Sequence, residues 1–174
     1  LTSEVTVARG PKFAVAEAVF EDPDGWRREH LIVRHPGAVV LLPVTDSGGV
    51  VFIENDRPAL GGVLLELPAG TLEPGEAPEA AASRECEEET RLRPQRVEAL
   101  GCFFTGPGMT DERMHAFLCT GLGRGDLRPD AGELVRPAVV PAGDVRGLIV
   151  SGRLRDAKSL AVLSLAGALG RLRV

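Results

Sequence analysis

Runs of apolar and alternating residues fill the first two thirds of the chain, and helical spacing dominates only near its end. Residues 13–20 (FAVAEAVF) read as a strand, EDPDGW at 21–26 as a turn, and 27–33 as the returning partner. Two apolar runs, 38–44 and 50–54, flank Asp46, Ser47, Gly48 and Gly49, which predicts a second hairpin. Residues 97–105 and 113–120 predict a further strand pair around GPGMTD, and GLGRGD at 121–126 reads as a turn, since no GxGxxG spacing is present. A short strand over 135–140, a helix over 142–151 and an amphipathic helix over 157–169 complete the pattern. The sum is a mixed set of strands with helices on the faces.

One segment breaks the ordinary pattern. GTLEPGEAPEAAASRECEEETRL, residues 70–92, is a turn-rich loop entering a short helix with Glu85, Glu87, Glu88 and Glu89 inside five positions. Pro78 suits the first helical turn, where its missing N–H costs little. Like charges three and four residues apart repel on a helix, so Glu85 against Glu88 and Glu89 is unfavourable unless a cation joins them. At about 100° per residue those three lie within roughly 100° of arc, while Glu87 points away toward solvent. Ala82, Cys86 and Thr90 form a seam of small residues able to lie against a sheet. Hard divalent cations take oxygen ligands and share them with substrate phosphates, so Glu85 and Glu89, with Glu88, are the candidate metal ligands. Arg84 lies four residues before Glu88, placed to orient the acidic face. Taken alone, a run of glutamates on a helix is most often a solvated surface.

Composition narrows the function classes. The 174 residues suit one core, and the net charge of −5, with 18 Arg against 2 Lys, offers no basic surface for nucleic acid. No window approaches the roughly 18 apolar residues of a membrane span, and the opening residues do not read as a signal peptide. Cys86, Cys102 and Cys119 lack CxxC spacing and read as reduced, buried small residues, pointing to the cytoplasm. His30, His35 and His115 have no metal-ligand spacing and read as structural or surface residues.

Gly70, Glu76, Arg84, Glu85, Cys86, Glu88, Glu89 and Leu92 stand at the spacing of the Nudix box, with Arg91 where that box has glycine. The chain therefore resembles Nudix hydrolases, and the resemblance implies an α/β (α+β) fold, an α/β/α sandwich around a mixed sheet. It implies Mg²⁺ or Mn²⁺ on Glu85, Glu88 and Glu89, helped by the Ala69 carbonyl, with Glu76 as a positioning residue. Arg57-Pro58, Glu66-Leu67-Pro68-Ala69-Gly70 and Gly106-Pro107-Gly108 are similar to bacterial ADP-ribose pyrophosphatases in particular. That branch implies cleavage of ADP-ribose or a related nucleoside diphosphate sugar to AMP and ribose 5-phosphate. Nucleoside triphosphates, dinucleoside polyphosphates, or a catalytically silent binding module are the alternatives. Arg57 has the guanidinium geometry for phosphate, and Glu66, Glu112 and Pro107 are the other substrate-side positions, the two carboxylates as contacts to ribose hydroxyls or a metal-bound water. A general base is expected from the acidic loop RPDAGELV, with Glu133 preferred over Asp130 because it adjoins the next strand, and Glu112 as a third candidate. Residues 1–36 are expected to form a β arm that pairs two protomers into a homodimer, with Phe13 or Phe20 available to stack on adenine, and residues 37–174 to form the hydrolase domain. Glycine at position 91 would permit a left-handed backbone; an arginine there costs roughly 1 kcal/mol or more, or forces a different turn.

Overall fold

The computed structural model describes residues 1–126 and 135–173. In chain order the elements are β1 (Ser3–Arg9), β2 (Ala14–Glu21), β3 (Arg27–Arg34), β4 (Ala38–Pro43), β5 (Gly49–Arg57), a 3-10 turn at Pro58–Leu60, β6 (Gly62–Glu66) and β7 (Ala69–Thr71). They continue with helix α1 (Pro78–Thr90), β8 (Leu92–Phe104), β9 (Arg113–Arg124), β10 (Val135–Pro141), α2 (Ala142–Val150) and α3 (Ala157–Ala168).

Three sheets result. β1, β2 and β3 form an antiparallel sheet of their own, and a four-stranded sheet runs β7-β4-β9-β8, with β4 parallel to β9. The third, β10-β5-β6, is antiparallel. β4 is buried along its whole length and divides the core. Val39 and Leu41 face one way, packing with Ala81, Ala82 and Cys86 of α1 and with Phe117 and Cys119 of β9. Ala38, Val40 and Leu42 face the other, joining Val50, Phe52 and Leu67 with Val145 of α2 and Val162, Leu163 and Ala166 of α3. Alternate side chains of one strand thus meet two layers, the two-face burial that gives a continuous apolar run. The result is the mixed-sheet sandwich that the resemblance implied, and the seam Ala82, Cys86 and Thr90 is buried against the sheet as expected.

The N-terminal hairpin forms as expected, extended by β1, whose residues are all exposed. The second expected hairpin does not form. β4 and β5 are joined by the bridge Val44–Val50 and by hydrogen bonds within the turn, among them the Thr45 N–H to the Gly49 carbonyl (2.8 Å) and the Gly49 N–H to the Thr45 hydroxyl (2.9 Å), then enter different sheets. Both strands need burial on both faces, and only separation into two layers supplies it. GLGRGD is likewise not a free turn: β9 continues to Arg124, opposite Leu92, Arg93 and Pro94. Among the described residues, no helix is long and apolar enough to cross a membrane.

Candidate active site

The glycine-rich strand β7 and the helix α1 meet at one point. A Cβ built at Gly70 would overlap the carboxylate of Glu85, so only glycine lets that side chain lie on the strand. This is a requirement of space; Gly70 does not have positive φ. One residue earlier, the Ala69 N–H donates to Glu89 Oε2 at 2.8 Å. Two of the candidate ligands are therefore fixed against consecutive residues of β7.

Arg84 organises the remainder. Its Nε and Nη2 donate to the two oxygens of Glu76, both at 2.9 Å, while Nη1 donates to Glu85 (2.7 Å) and Glu88 (2.9 Å). Glu76 is itself positioned by the Glu73 N–H (3.0 Å). The hydrogen bond from Arg84 holds the Glu76 carboxyl below the usual carboxylate range, and that bond, more than those to Glu85 and Glu88, pushes the guanidinium further up. One cation thus binds three carboxylates and leaves the group with surplus negative charge. Among the described residues no three His, Cys, Asp or Glu side chains already converge as a metal cage. The donors are all hard oxygens on one part-buried face, the chemistry that suits a divalent ion completed by phosphate and water.

Glu87 does not project into solvent. It is buried, accepts the Asp126 N–H at 2.8 Å and lies so close to Gly125 that a Cβ there would overlap it. It ties α1 to the end of β9. Arg91 closes the helix in the left-handed region, φ 60° and ψ 23°, and is the only residue other than glycine with positive φ among the described residues. Its N–H still donates to the Glu87 carbonyl (2.8 Å), so the expected turn is kept with arginine in place of glycine.

Beside β7 opens a cavity of about 410 Å³ whose walls include Lys12, Phe13, His35, Arg57, Ala69, Gly70, Glu112 and Lys158. Arg57, Glu112 and Ala69 are therefore brought together. Pro107 is not among the lining residues; it borders a neighbouring, mainly apolar cavity of about 500 Å³ with Phe20, His30, Phe104 and Met109. Glu66, at 1% exposure, lies behind the wall: Oε1 accepts from Arg57 Nε (3.0 Å) and Nη2 (2.6 Å), and Oε2 pairs with Lys158. Its carboxylate holds these two cations. Glu112 accepts from the Thr105 hydroxyl (2.5 Å) and faces His35 Nε2 at 3.8 Å. His35 Nδ1 accepts the Gly37 N–H (3.1 Å), which leaves the proton of the neutral ring on Nε2, toward Glu112. Glu133 and Asp130 lie outside the described residues.

Sequence reasoning missed Lys158 and Lys12. Both lysines of the chain line this one cavity, and their scarcity among 18 arginines was the available signal. Cys86 and Cys119 are buried together as expected, and the hydrogen bond between them, with burial, pushes the Cys119 thiol up; Cys102 is instead exposed.

A glutamate-rich helix held by one arginine stands beside a cavity with a cationic wall on a mixed-sheet sandwich, an arrangement able to hold a divalent ion and phosphate groups together. The chain belongs to the Nudix family: the NUDIX domain matches residues 33–163. It is 37% identical over 163 residues to the ADP-ribose pyrophosphatase of Bacillus subtilis, covering 90% of this chain and 88% of that protein. It is 38% identical over 123 residues to the methanol dehydrogenase activator of Bacillus methanolicus, covering 71% and 65% of the two chains. A solved structure described as an ADP compounds hydrolase shares the fold with a TM-score of 0.84 over 98% of this chain and 95% of its own, at 22% identity.

Proposed function

We propose that the protein hydrolyses the pyrophosphate bond of ADP-ribose, or of a related nucleoside diphosphate sugar, giving AMP and ribose 5-phosphate with Mg²⁺ or Mn²⁺. The observation that carries this is the convergence on β7: Glu85 and Glu89 lie against Gly70 and Ala69, and the same two residues line the cavity that Arg57 faces. Identity of 37% across 90% of this chain to the ADP-ribose pyrophosphatase of Bacillus subtilis supports ADP-ribose as the substrate.

Glu85, Glu88 and Glu89, with the Ala69 carbonyl, would hold the metal, which supplies charge neutralisation of the phosphates and activation of water. Arg84 keeps Glu85 and Glu88 on the reacting face, and Glu76 keeps Arg84 there. Arg57, fixed by Glu66, presents its Nη1 edge to phosphate oxygens. Glu112, oriented by Thr105, accepts a ribose hydroxyl, and Phe13 on the cavity wall offers a face to adenine. Glu133 is the preferred general base, with Asp130 and Glu112 as the other candidates. Free thiols at all three cysteines suit a cytoplasmic setting.

We also assign residues 1–36 as an arm that pairs two protomers. Val5, Val7, Leu31 and Trp26 are exposed on it, Trp26 to 75%, and burial in a homodimer would remove that apolar area from water. Light scattering at micromolar concentration is expected to report a dimer; a monomer whose activity is unchanged after deletion of the arm overturns this assignment.

The substrate is tested with purified protein, Mg²⁺ or Mn²⁺, and a panel of ADP-ribose, other nucleoside diphosphate sugars, dinucleoside polyphosphates and nucleoside triphosphates. ADP-ribose is expected to show the highest kcat/KM. A preference of about tenfold or more for triphosphates or dinucleoside polyphosphates, some 1.4 kcal/mol in barrier, rejects the assignment of substrate. No turnover with any metal makes the protein a ligand-binding module.

A further inference from the structure

The first turn of α3 reaches the cavity from the side opposite α1. Asp156 caps that helix, accepting the Ser159 N–H at 3.0 Å and the Ser159 hydroxyl at 2.5 Å. Ser159 is fully buried, and its oxygen accepts the Leu67 N–H at 2.7 Å, two residues before Ala69. α3 is therefore bolted to the segment entering β7. Between these fixed points stands Lys158, 12% exposed, with Nζ on Glu66 Oε2 and 3.0 Å from Asp156 Oδ2.

Glu66 sits at the end of β6 and Arg57 at the end of β5, with Gly62 paired to Arg57 across the turn. Arg57 is 41% exposed and Glu66 is 1% exposed, so the carboxylate is the fixed partner and the guanidinium the one that meets solvent. A buried carboxylate with one cation forms a neutral pair, and such a pair attracts phosphate weakly. Here the second oxygen is met by Lys158, while the charge of Asp156 is met in part by the Ser159 N–H and hydroxyl at the start of α3. Glu66 is thus divided between two cations, and part of the charge of Arg57 remains directed into the cavity.

We infer that Lys158 is a positioning residue for the anionic substrate: by neutralising the inner oxygen of Glu66 it leaves Arg57 able to bind the pyrophosphate. This rests on the reading of Arg57 as a phosphate contact given above. It assigns to the C-terminal helix a part in substrate affinity, and it explains why a lysine-poor chain spends a lysine at this place. Burial makes the arrangement specific, because a truncated partner would leave Glu66 undercompensated in a low-dielectric wall.

The test is a double-mutant cycle on Arg57 and Lys158, read by calorimetric binding of inorganic pyrophosphate with Mg²⁺ and by steady-state kinetics on the best substrate of the panel. Lys158→Met keeps the length of the side chain and removes its charge. It is expected to weaken pyrophosphate binding and raise KM about tenfold, with kcat changed less than threefold, and Lys158→Arg is expected to recover most of the loss. In an Arg57→Ala background, Lys158→Met should add less than twofold, since Lys158 acts through Arg57. A full tenfold further loss in that background overturns the inference and makes Lys158 a direct ligand contact; unchanged binding in Lys158→Met overturns it outright. Thermal unfolding is followed in parallel. If Lys158→Met alone is unstable, Glu66→Gln/Lys158→Met removes the uncompensated charge, and the variant is expected to fold and to bind pyrophosphate within twofold of Glu66→Gln alone, since Lys158 acts through the charge of Glu66; a further tenfold loss overturns the inference and makes Lys158 a direct ligand contact. Because pyrophosphate binding is measured without turnover, an inactive wild-type protein would reject the proposed reaction and leave this cycle readable.

Discussion

Two charged networks flank β7, and they are built in opposite senses. On the α1 side one arginine, Arg84, is shared by Glu76, Glu85 and Glu88; on the α3 side one carboxylate, Glu66, is shared by Arg57 and Lys158. The first network leaves surplus negative charge, while in the second Asp156 also pairs with Lys158 at 3.0 Å, so its charges balance. The first has surplus oxygen donors, suited to a cation, and the second turns the exposed guanidinium of Arg57 toward the cavity, suited to a phosphate. A metal-bound pyrophosphate carries both kinds of charge, and the strand between the networks is only three residues long. The comparison teaches that burial fixes each network, since removing one partner of a buried pair is costly, and that the exposed member turns it toward the cavity, Arg57 being 41% exposed beside Glu66 at 1%.

The largest effect is expected from removing a ligand on the acidic side. Glu85→Gln or Glu89→Gln should lower kcat at subsaturating Mg²⁺ by about a hundredfold or more, some 2.7 kcal/mol. The metal-free protein should melt no lower than wild type, because a repulsive charge is gone. Full activity in both variants would show that the acidic network does not bind the metal.

Gly70→Ala attacks the same network by volume. The new methyl group must displace the Glu85 carboxylate from β7, so activity should fall roughly tenfold or more, about 1.4 kcal/mol in barrier, with little loss of stability because the displaced group is the end of a flexible side chain. A variant with normal Mg²⁺ dependence would mean that Glu85 need not lie on the strand.

A pH titration separates the loop from the helix. The hydrogen bond from Arg84 lowers the folded-state pKa of Glu76 below its ordinary value of 4.5. Its contribution to stability is therefore complete above that value and is lost as pH falls through the depressed one. Glu76→Gln should be less stable than wild type near pH 7, and the difference should shrink as the pH falls below 4.5 and through the depressed pKa. A difference that does not shrink would assign the effect to packing.

The smallest effect lies at the end of α1, outside both networks. Arg91→Gly relieves the left-handed strain at φ 60° and should raise stability by about 0.5–1 kcal/mol without changing kcat. A lower melting temperature would show that the Arg91 side chain contributes more than its backbone costs.

Legibility followed the range of the interactions. The acidic face of α1, the Pro78 start and the buried seam of Ala82, Cys86 and Thr90 are set by neighbours within one or two helical turns, and spacing alone revealed them. Glu87 was misread because its partner, the Asp126 N–H, lies 39 residues away on the far side of β8 and β9. Lys158 was invisible for the same reason, since its contact with Glu66 spans 92 residues. The two apolar runs at β4 and β5 looked like a hairpin because local turn chemistry carries no information about which layer each strand joins.

By itself, then, the sequence determined the ligand-bearing helix, the spacing of its loop and the resemblance that goes with them, because helix periodicity and hydrogen-bonding chemistry act over a few residues. Only the tertiary structure decided why Gly70 must be glycine, which carboxylate faces solvent, and which cations share Glu66. Those outcomes depend on close approach between segments far apart in the chain, and a one-dimensional pattern does not encode the distance between them.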